Sequence, residues 1–590
     1  MLRTALLLLA VSTSAFAQAN RDDLTPYEIT YTTTVSEDLK ILEIELDVNK
    51  YNRPTLRLYM PEWAPGAYRL SDNGTRMRNL EVTGNDGALL EVTQMDKNSW
   101  SVATEGHSSL HVSYDKLANS RARPGRDSEA EITGIKYSGP STYMYVAGAK
   151  GLPVHSRYVV PEGWRVSNGL LPTADPDVRF ARDFDTFIDA PTILGIYEQR
   201  DFEVAGTPFT CIFFEQKQEY DFDIDAFVKI VEDICVNQGE LYGSFPFPNY
   251  VFQFSLPGGG GLEHLNSTSI GLRAEAQKED PGAGASVTSH EFFHTWNVKR
   301  IRPVTLGPFD YQQENYTGNL WVSEGWTSYF GDLTLERIGL WDRERYLRHL
   351  RGIVNREMNK PRREDHSVMW ASRNAWHRFD GEEGSRVDYY GKGELLGLMI
   401  DLKIRKETNG AKSLNDVMRF LNRWFAERNV GFEEGDIERA CTAVSNHDFS
   451  EFFARHVVGT MDPPFEEYLG YVGIDYVAEK IPCSFPFNVR SGRIRGRRLR
   501  EEPTAEQLAA PIVGDVIISI DGVPFEDEDA FLNAHLPGDV VKITLERDDE
   551  ERVVEVTLED RSRMTPTMTW NENPTEAQLA LREAWLTSVD

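Results

Sequence analysis

The sequence predicts a multidomain α+β protein, and three observations carry that expectation. Residues from about 25 to 195 alternate apolar and polar in the manner of half-buried strands. From Asp221 the pattern turns helical, interrupted by one strand from Val251 to Leu256, and stays mostly helical to about Gly473. Short strands then return between about 480 and 562. At 590 residues and 40% hydrophobic content the chain can fill several cores. The expected divisions are 18–197 for an N-terminal β-sandwich-like domain and 198–475 for a domain of mixed sheet with a helical second half. Residues 476–562 form a small strand-rich domain, and 563–590 a C-terminal tail.

Residues 1–17 read as a cleavable signal peptide: Arg3, an apolar run from Ala5 to Val11, then Ala15-Phe16-Ala17 as the cleavage site. A periplasmic or secreted location is the expectation. No later run reaches the roughly 18 apolar residues of a membrane span. A net charge of -30 repels nucleic acid and anionic membrane surfaces. The Arg-rich stretch from Arg493 to Arg498 is a local exception that reads as a solvated strand face. Cys211, Cys235, Cys441 and Cys483 have no C-x-x-C spacing. Cys211 and Cys235 are left open as a disulfide or as buried thiols.

In the first domain, Glu28 to Thr32 and Leu39 to Leu46 have strand periodicity, and turns recur at Asn73-Gly74, Asn85-Asp86-Gly87 and Pro161-Glu162-Gly163. Trp63-Ala64-Pro65-Gly66-Ala67-Tyr68 reads first as aromatic turn packing and second as the lining of a cleft. A helix is expected from Asp221 to Tyr242. After the strand at Val251 comes Pro257 followed by Gly258, Gly259, Gly260, Gly261, Leu262, Glu263 and His264. Four glycines there mark close backbone approach, so Gly260 and Gly261 are candidates to meet an extended peptide. Glu263 then offers a carboxylate suited to a protonated amine.

The densest chemistry lies between about 285 and 338. His290-Glu291-Phe292-Phe293-His294, on a helix expected over Ala285 to Val298, sets two imidazoles one turn apart on one face. Glu324, on a helix expected over Leu320 to Ile338, supplies a carboxylate from a second direction. Two His and one carboxylate with an open fourth position suit Zn2+ and metal-assisted hydrolysis, with Glu291 placed as general base. Downstream, Tyr390 in Asp388-Tyr389-Tyr390-Gly391-Lys392-Gly393 offers a phenol able to donate to a developing oxyanion.

Taken together, the motifs G-G-x-E-H, H-E-x-x-H-T-W-N-x-K-R-I-R-P, W-x-x-E-G-x-T-x-Y and Y-x-K-G resemble the M61 glycyl aminopeptidase family of gluzincin metallopeptidases. They are similar, more distantly, to M1 aminopeptidases. The resemblance covers most of the mature chain. It implies a thermolysin-like zinc peptidase domain and a PDZ-like domain around Gly514 to Gly522. It implies zinc held by His290, His294 and Glu324, with Glu291 as base, Tyr390 on the oxyanion and Glu263 on the substrate's N-terminal amine. The expected partners are peptides with a free N-terminus and a small first residue, Gly or Ala. Two departures stand out: the loop reads G-L-E-H where M1 enzymes have M-E-N, and the PDZ-like segment lacks a GLGF loop. A secreted endopeptidase that recruits chains through the PDZ-like domain, or a non-catalytic binding protein, are the other readings. The oligomeric state is open.

Overall fold

The computed structural model describes residues 27–118, 133–215, 221–377, 387–490, 492–495 and 510–587. The signal peptide expected at 1–17 and Gly496, Arg497 and Arg498 of the Arg-rich stretch lie outside the described residues.

Alternation in the first domain produces sheets with one wet and one dry face. Glu28–Val35 alternates exposed and buried positions, pairs parallel with Val154–Val159 and antiparallel with Ile41–Asn49, and sits inside a seven-stranded sheet. Leu42, Ile44, Leu46 and Val48 point inward from the second of these strands, each at most 1% exposed. A four-stranded sheet containing Thr55–Tyr59 and Ser99–Ala103 contributes Leu56, Leu58 and Val102 to the same core. A three-stranded sheet completes the domain.

The second domain begins with a five-stranded sheet in the order Glu198–Val204, Thr207–Glu215, Tyr250–Leu256, Ser267–Gly271, Gly261–Glu263. The last of these is an edge strand, antiparallel to its single neighbour. Helix Ile224–Tyr242 packs near the opposite edge, at Glu198–Val204, capped by the Asp223 carboxylate at its N-terminus and closed by Gly243 at φ 75°. Helices Ala285–Phe293 and Thr327–Arg337 follow, and then Arg343–Met358, Gly391–Glu407, Leu414–Trp424 and Asp436–Ser445.

Two expected helices differ in detail. The first ends at Phe293, with His294 as its cap, because the chain turns there to present Asn297 to the second. The second starts with a π-helical turn over Trp321–Trp326 before regular α-helix begins at Thr327. Gly325 in that turn meets the backbone of Gly393: a Cβ on Gly325 would fall 2.4 Å from Gly393 Cα. The wide turn and the two glycines let the helices touch main chain to main chain, which aims Glu324.

Strand Ile474–Ile481 pairs antiparallel with Arg563–Trp570, and the residues between them build a separate small sheet with its own core of Ile494, Ile517, Ile543, Leu545 and Val556. Asp515 and Arg547 form a bidentate buried ion pair there, both contacts 2.7 Å. The stretch expected as a tail returns to the second domain as helix Glu576–Thr587. Trp585, fully buried, donates from Nε1 to the Tyr329 hydroxyl at 2.8 Å, and Tyr329 donates to Asp401 at 2.6 Å. Cys211, Cys235, Cys441 and Cys483 are all buried free thiols.

Trp585→Ala removes a fully buried side chain beneath the helix that follows Glu324. It should cost about 3–5 kcal/mol, read as a lower calorimetric unfolding temperature.

Candidate active site

His294 keeps helical dihedrals at the end of its helix (φ −56°, ψ −20°), so His290 and His294 remain one turn apart. Their Nε2 atoms lie 3.0 Å apart with the rings at 88°. Glu324 brings Oε2 to 3.2 Å from His294 Nε2 and 3.5 Å from His290 Nε2. The outer nitrogens are already engaged. His294 Nδ1 donates to the Asn297 carbonyl at 2.7 Å, and Ser328 Oγ lies 3.2 Å from His290 Nδ1. Asn297 in turn donates from its amide to the Val322 carbonyl at 2.8 Å and to Thr327 Oγ1 at 3.1 Å. One residue thus orients a histidine and ties the two helices together.

This donor set fits a divalent ion. With bonds of about 2.0–2.2 Å, tetrahedral ligand atoms sit roughly 3.3–3.6 Å apart, close to the separations of 3.0–3.5 Å found here. With Nδ1 protons spent on outer partners, two Nε2 lone pairs and a carboxylate converge on one point, an arrangement a cation stabilises. Burial pulls the His294 pKa down, but the Glu324 carboxylate outweighs it and raises it to about 9. Burial pushes Glu324 upward, and the two imidazoles nevertheless hold it well below the usual carboxylate range.

Glu291, between the ligands in sequence, is 6% exposed, and its Oε2 has no hydrogen-bond partner. Burial raises its pKa to about 8, with Glu263 and Glu324 adding to the rise and His294 opposing it. Such a carboxyl can exchange a proton near neutral pH. Gly261 lies directly against it: a Cβ on Gly261 would fall 2.3 Å from Glu291 Oε1. Any side chain there displaces the carboxylate. Gly260 turns the loop at φ 74°, and its carbonyl accepts from Gly271 N at 2.9 Å. The edge strand Gly261–Glu263 therefore runs along the carboxylate with one side of its backbone unpaired by sheet.

Glu263, at the end of that strand, is 4% exposed. One of its oxygens, one of Glu291 and a nitrogen of His294 all lie within 4.8 Å of one another. The next residue, His264, is turned away from the cluster. Its Nδ1 lies 3.2 Å from Asp189 Oδ1, and Lys299 Nζ donates to the same oxygen at 2.8 Å. Asp189 Oδ2 accepts from Leu265 N at 2.7 Å. Arg300 adds donations to the Leu265 and Thr295 carbonyls at 2.9 and 2.8 Å. A carboxylate of the first domain and two cations following the second histidine thereby fix the loop that carries Glu263.

Tyr390 stands at the start of helix Gly391–Glu407, its ring 6.3 Å from that of His290 and 28° from parallel. Asp388 accepts from Gly391 N at 2.8 Å and caps the helix, while Lys360 pairs with both Asp388 and Glu357. Burial and the Glu324 charge raise the Tyr390 phenol well above its ordinary pKa, so it stays a donor.

The structure brings His290, Glu291, His294, Glu324, Glu263, Gly261 and Tyr390 around one cleft. Sequence reasoning missed Asp189, Asn297, Lys299, Arg300 and Ser328 as supports. Asn297, Lys299 and Arg300 lie inside the quoted H-E-x-x-H-T-W-N-x-K-R motif, which was the available signal. Asp189 and Ser328 stand in no distinctive pattern.

Two helices presenting His, His and Glu, with a buried carboxyl beside them and a sheet edge along it, define a metallopeptidase. Residues 284–396 match the M61 glycyl aminopeptidase family and residues 27–196 the peptidase M61 N-terminal domain. No curated protein sequence matches the chain. Among solved structures, an aminopeptidase N family protein from Idiomarina loihiensis has the same fold, with a TM-score of 0.76 at 24% identity over 95% of this chain and 100% of that one. An M1 zinc metallopeptidase from Deinococcus radiodurans overlaps at TM-score 0.46 and 13% identity, covering 75% of this chain and 95% of that one. Yeast LTA4 hydrolase in complex with bestatin overlaps at TM-score 0.48 and 12% identity, covering 76% and 71%. The last two overlap too loosely to bear on the chemistry of this chain.

Below pH 9 the His294 proton must leave when a divalent ion enters. Affinity should therefore rise with pH up to that point, and calorimetry at pH 7 in buffers of different ionisation enthalpy should report about one proton released per ion. Gly261→Ala should lower turnover by roughly a hundredfold or more, the scale of losing a positioned catalytic group, with metal content unchanged by atomic absorption.

Proposed function

We propose that the protein is a zinc-dependent aminopeptidase that removes small N-terminal residues, Gly or Ala, from peptides. The observation that carries this reading is Glu263. It is a buried carboxylate with no hydrogen-bond or ion-pair partner among the described residues, set beside Glu291 and His294 at the end of an edge strand. Burying such a charge is costly unless a cation meets it, and the ammonium of a peptide N-terminus is the cation a peptidase brings.

His290, His294 and Glu324 would hold the zinc ion, for which two imidazoles and a carboxylate are a suitable set. Bound there, zinc supplies Lewis acidity, polarising the scissile carbonyl and making water easier to deprotonate. The peptide backbone lies along Gly260 and Gly261 as an added strand. Glu263 receives the terminal ammonium and fixes the distance from the amine to the scissile bond at one residue. Glu291 accepts a proton from the attacking water and returns it to the leaving amine, a task suited to a carboxyl raised to about 8 by burial. Tyr390, held protonated, donates to the oxyanion. A secreted or periplasmic location and a PDZ-like role for residues 476–562 remain part of this proposal, resting on the sequence alone.

The test is a panel of aminoacyl arylamides, free and N-acetylated, with and without chelator. Glycyl and alanyl arylamides should be cleaved, acetylation should abolish cleavage, and chelation should stop it reversibly. Glu291→Gln should keep its metal and lose turnover. Glu263→Ala should raise KM for free-amine substrates by tenfold or more at unchanged metal content, about 1.4 kcal/mol of lost binding. Equal turnover of acetylated and free substrates would exclude the amine anchor.

A further inference from the structure

The first domain reaches the cleft through the turn Trp63 to Tyr68. Gly66, at φ 89°, presses on the amine-binding strand: a Cβ there would fall 2.8 and 2.9 Å from the two oxygens of Glu263 and 2.7 Å from Leu262 Cδ1. Tyr68 is 5% exposed and holds φ 40°, a left-handed conformation that bulky residues rarely adopt. Strain of this kind persists where the surroundings over-determine it. Here they do. The Tyr68 ring stands edge-on to Trp376 at 5.7 Å, and Trp376 stands edge-on to Trp63 at 5.0 Å. Trp63 is pinned by its Nε1 donation to the Asp310 carbonyl at 2.8 Å, and Glu62 N donates to the Tyr311 carbonyl at 2.8 Å. Tyr68 and Gly66 line, with Glu263, Asp189, Lys299 and Arg302, a space of about 140 Å³ that adjoins Glu263 and has none of the candidate metal triad in its lining. The Tyr68 hydroxyl has no hydrogen-bond partner among the described residues. It also lies close enough to Glu324 and Glu263 for their charges to act on it.

We infer that this turn is the specificity wall of the cleft, with Tyr68 filling the space that a first-residue side chain longer than a methyl would need. The inference rests on the aminopeptidase reading and names the residue that sets its preference for small residues. Gly66 allows the wall to touch Glu263 without displacing it, so the ammonium is held at a closed end. The three indole and phenol rings brace one another, which makes the wall stiff. A flexible wall would yield to a leucyl side chain; a T-shaped aromatic cluster anchored to main-chain carbonyls resists. Tyr68 is therefore a substrate-contacting residue supplied by the first domain to a site otherwise built by the second.

The test compares kcat/KM for glycyl, alanyl, leucyl and phenylalanyl arylamides in wild type, Tyr68→Phe, Tyr68→Leu and Tyr68→Ala, with unfolding temperature and metal content measured for each. Wild type should favour glycyl and alanyl substrates. Tyr68→Ala should raise the leucyl-to-glycyl ratio at least tenfold, Tyr68→Leu should raise it less, and Tyr68→Phe should leave it within about twofold, since the ring is what occludes. Should Tyr68→Ala fail to fold, Tyr68→Leu carries the comparison. A folded, metal-loaded Tyr68→Ala or Tyr68→Leu with the wild-type ratio would overturn the wall while leaving the small-residue reading intact. Wild type that cleaves leucyl and glycyl arylamides equally well would overturn both.

Discussion

Three buried carboxyl groups gathered around one histidine are the constraint around which the rest is arranged. Glu263, Glu291 and Glu324 are each at most 6% exposed and lie beside His294, with no lysine or arginine paired to any of them among the described residues. A low-dielectric site will not hold three carboxylates unless protons, a metal or a ligand ammonium balances them. The surrounding cations are placed elsewhere. Lys299 goes to Asp189, Arg300 to main-chain carbonyls, and Lys360 to Asp388 and Glu357. Lysine and arginine charge thus holds the loops, and the cleft itself keeps only carboxyl groups and imidazoles.

Main-chain contact is the means by which these groups are brought so close. Gly261 against Glu291, Gly66 against Glu263, and Gly325 against Gly393 each occupy a spot where a methyl group would collide at less than 3 Å. In each case the cost of glycine's chain entropy is offset by the position of a carboxylate: the candidate base, the candidate amine anchor and the third member of the candidate metal triad. The two domains are joined in the same place. Asp189 and the Trp63 to Tyr68 turn come from the first, and both act on the strand that ends in Glu263.

Much of this was legible in the sequence because it is periodic or spaced at fixed intervals. Strand alternation in Glu28–Val35, the i, i+4 pair His290 and His294, and the glycine run before Glu263 are local signals. The π-turn at Glu324 was not legible, since it arises from contact with a helix some seventy residues later. Nor was the role of Asp189, whose partners lie 75 and 110 residues away and whose neighbours show no pattern. The Trp63 to Tyr68 turn stood out as aromatic, but composition alone does not tell which wall a ring faces. The docking of helix Glu576–Thr587 was hidden as well: the segment reads as a tail, and nothing in its own residues names the helices it packs against.

That helix has a consequence for how firmly the site is held. Trp585 sits under Tyr329, and Arg337 and Arg405 donate to the carbonyls of Trp585 and Ala584. These partners lie on the two helices that follow Glu324 and Tyr390. Without that docked helix the underside of both would be bare. The candidate site is thus braced from beneath by a helix far from it in sequence, so loosening that helix would loosen the cleft without touching any residue that lines it.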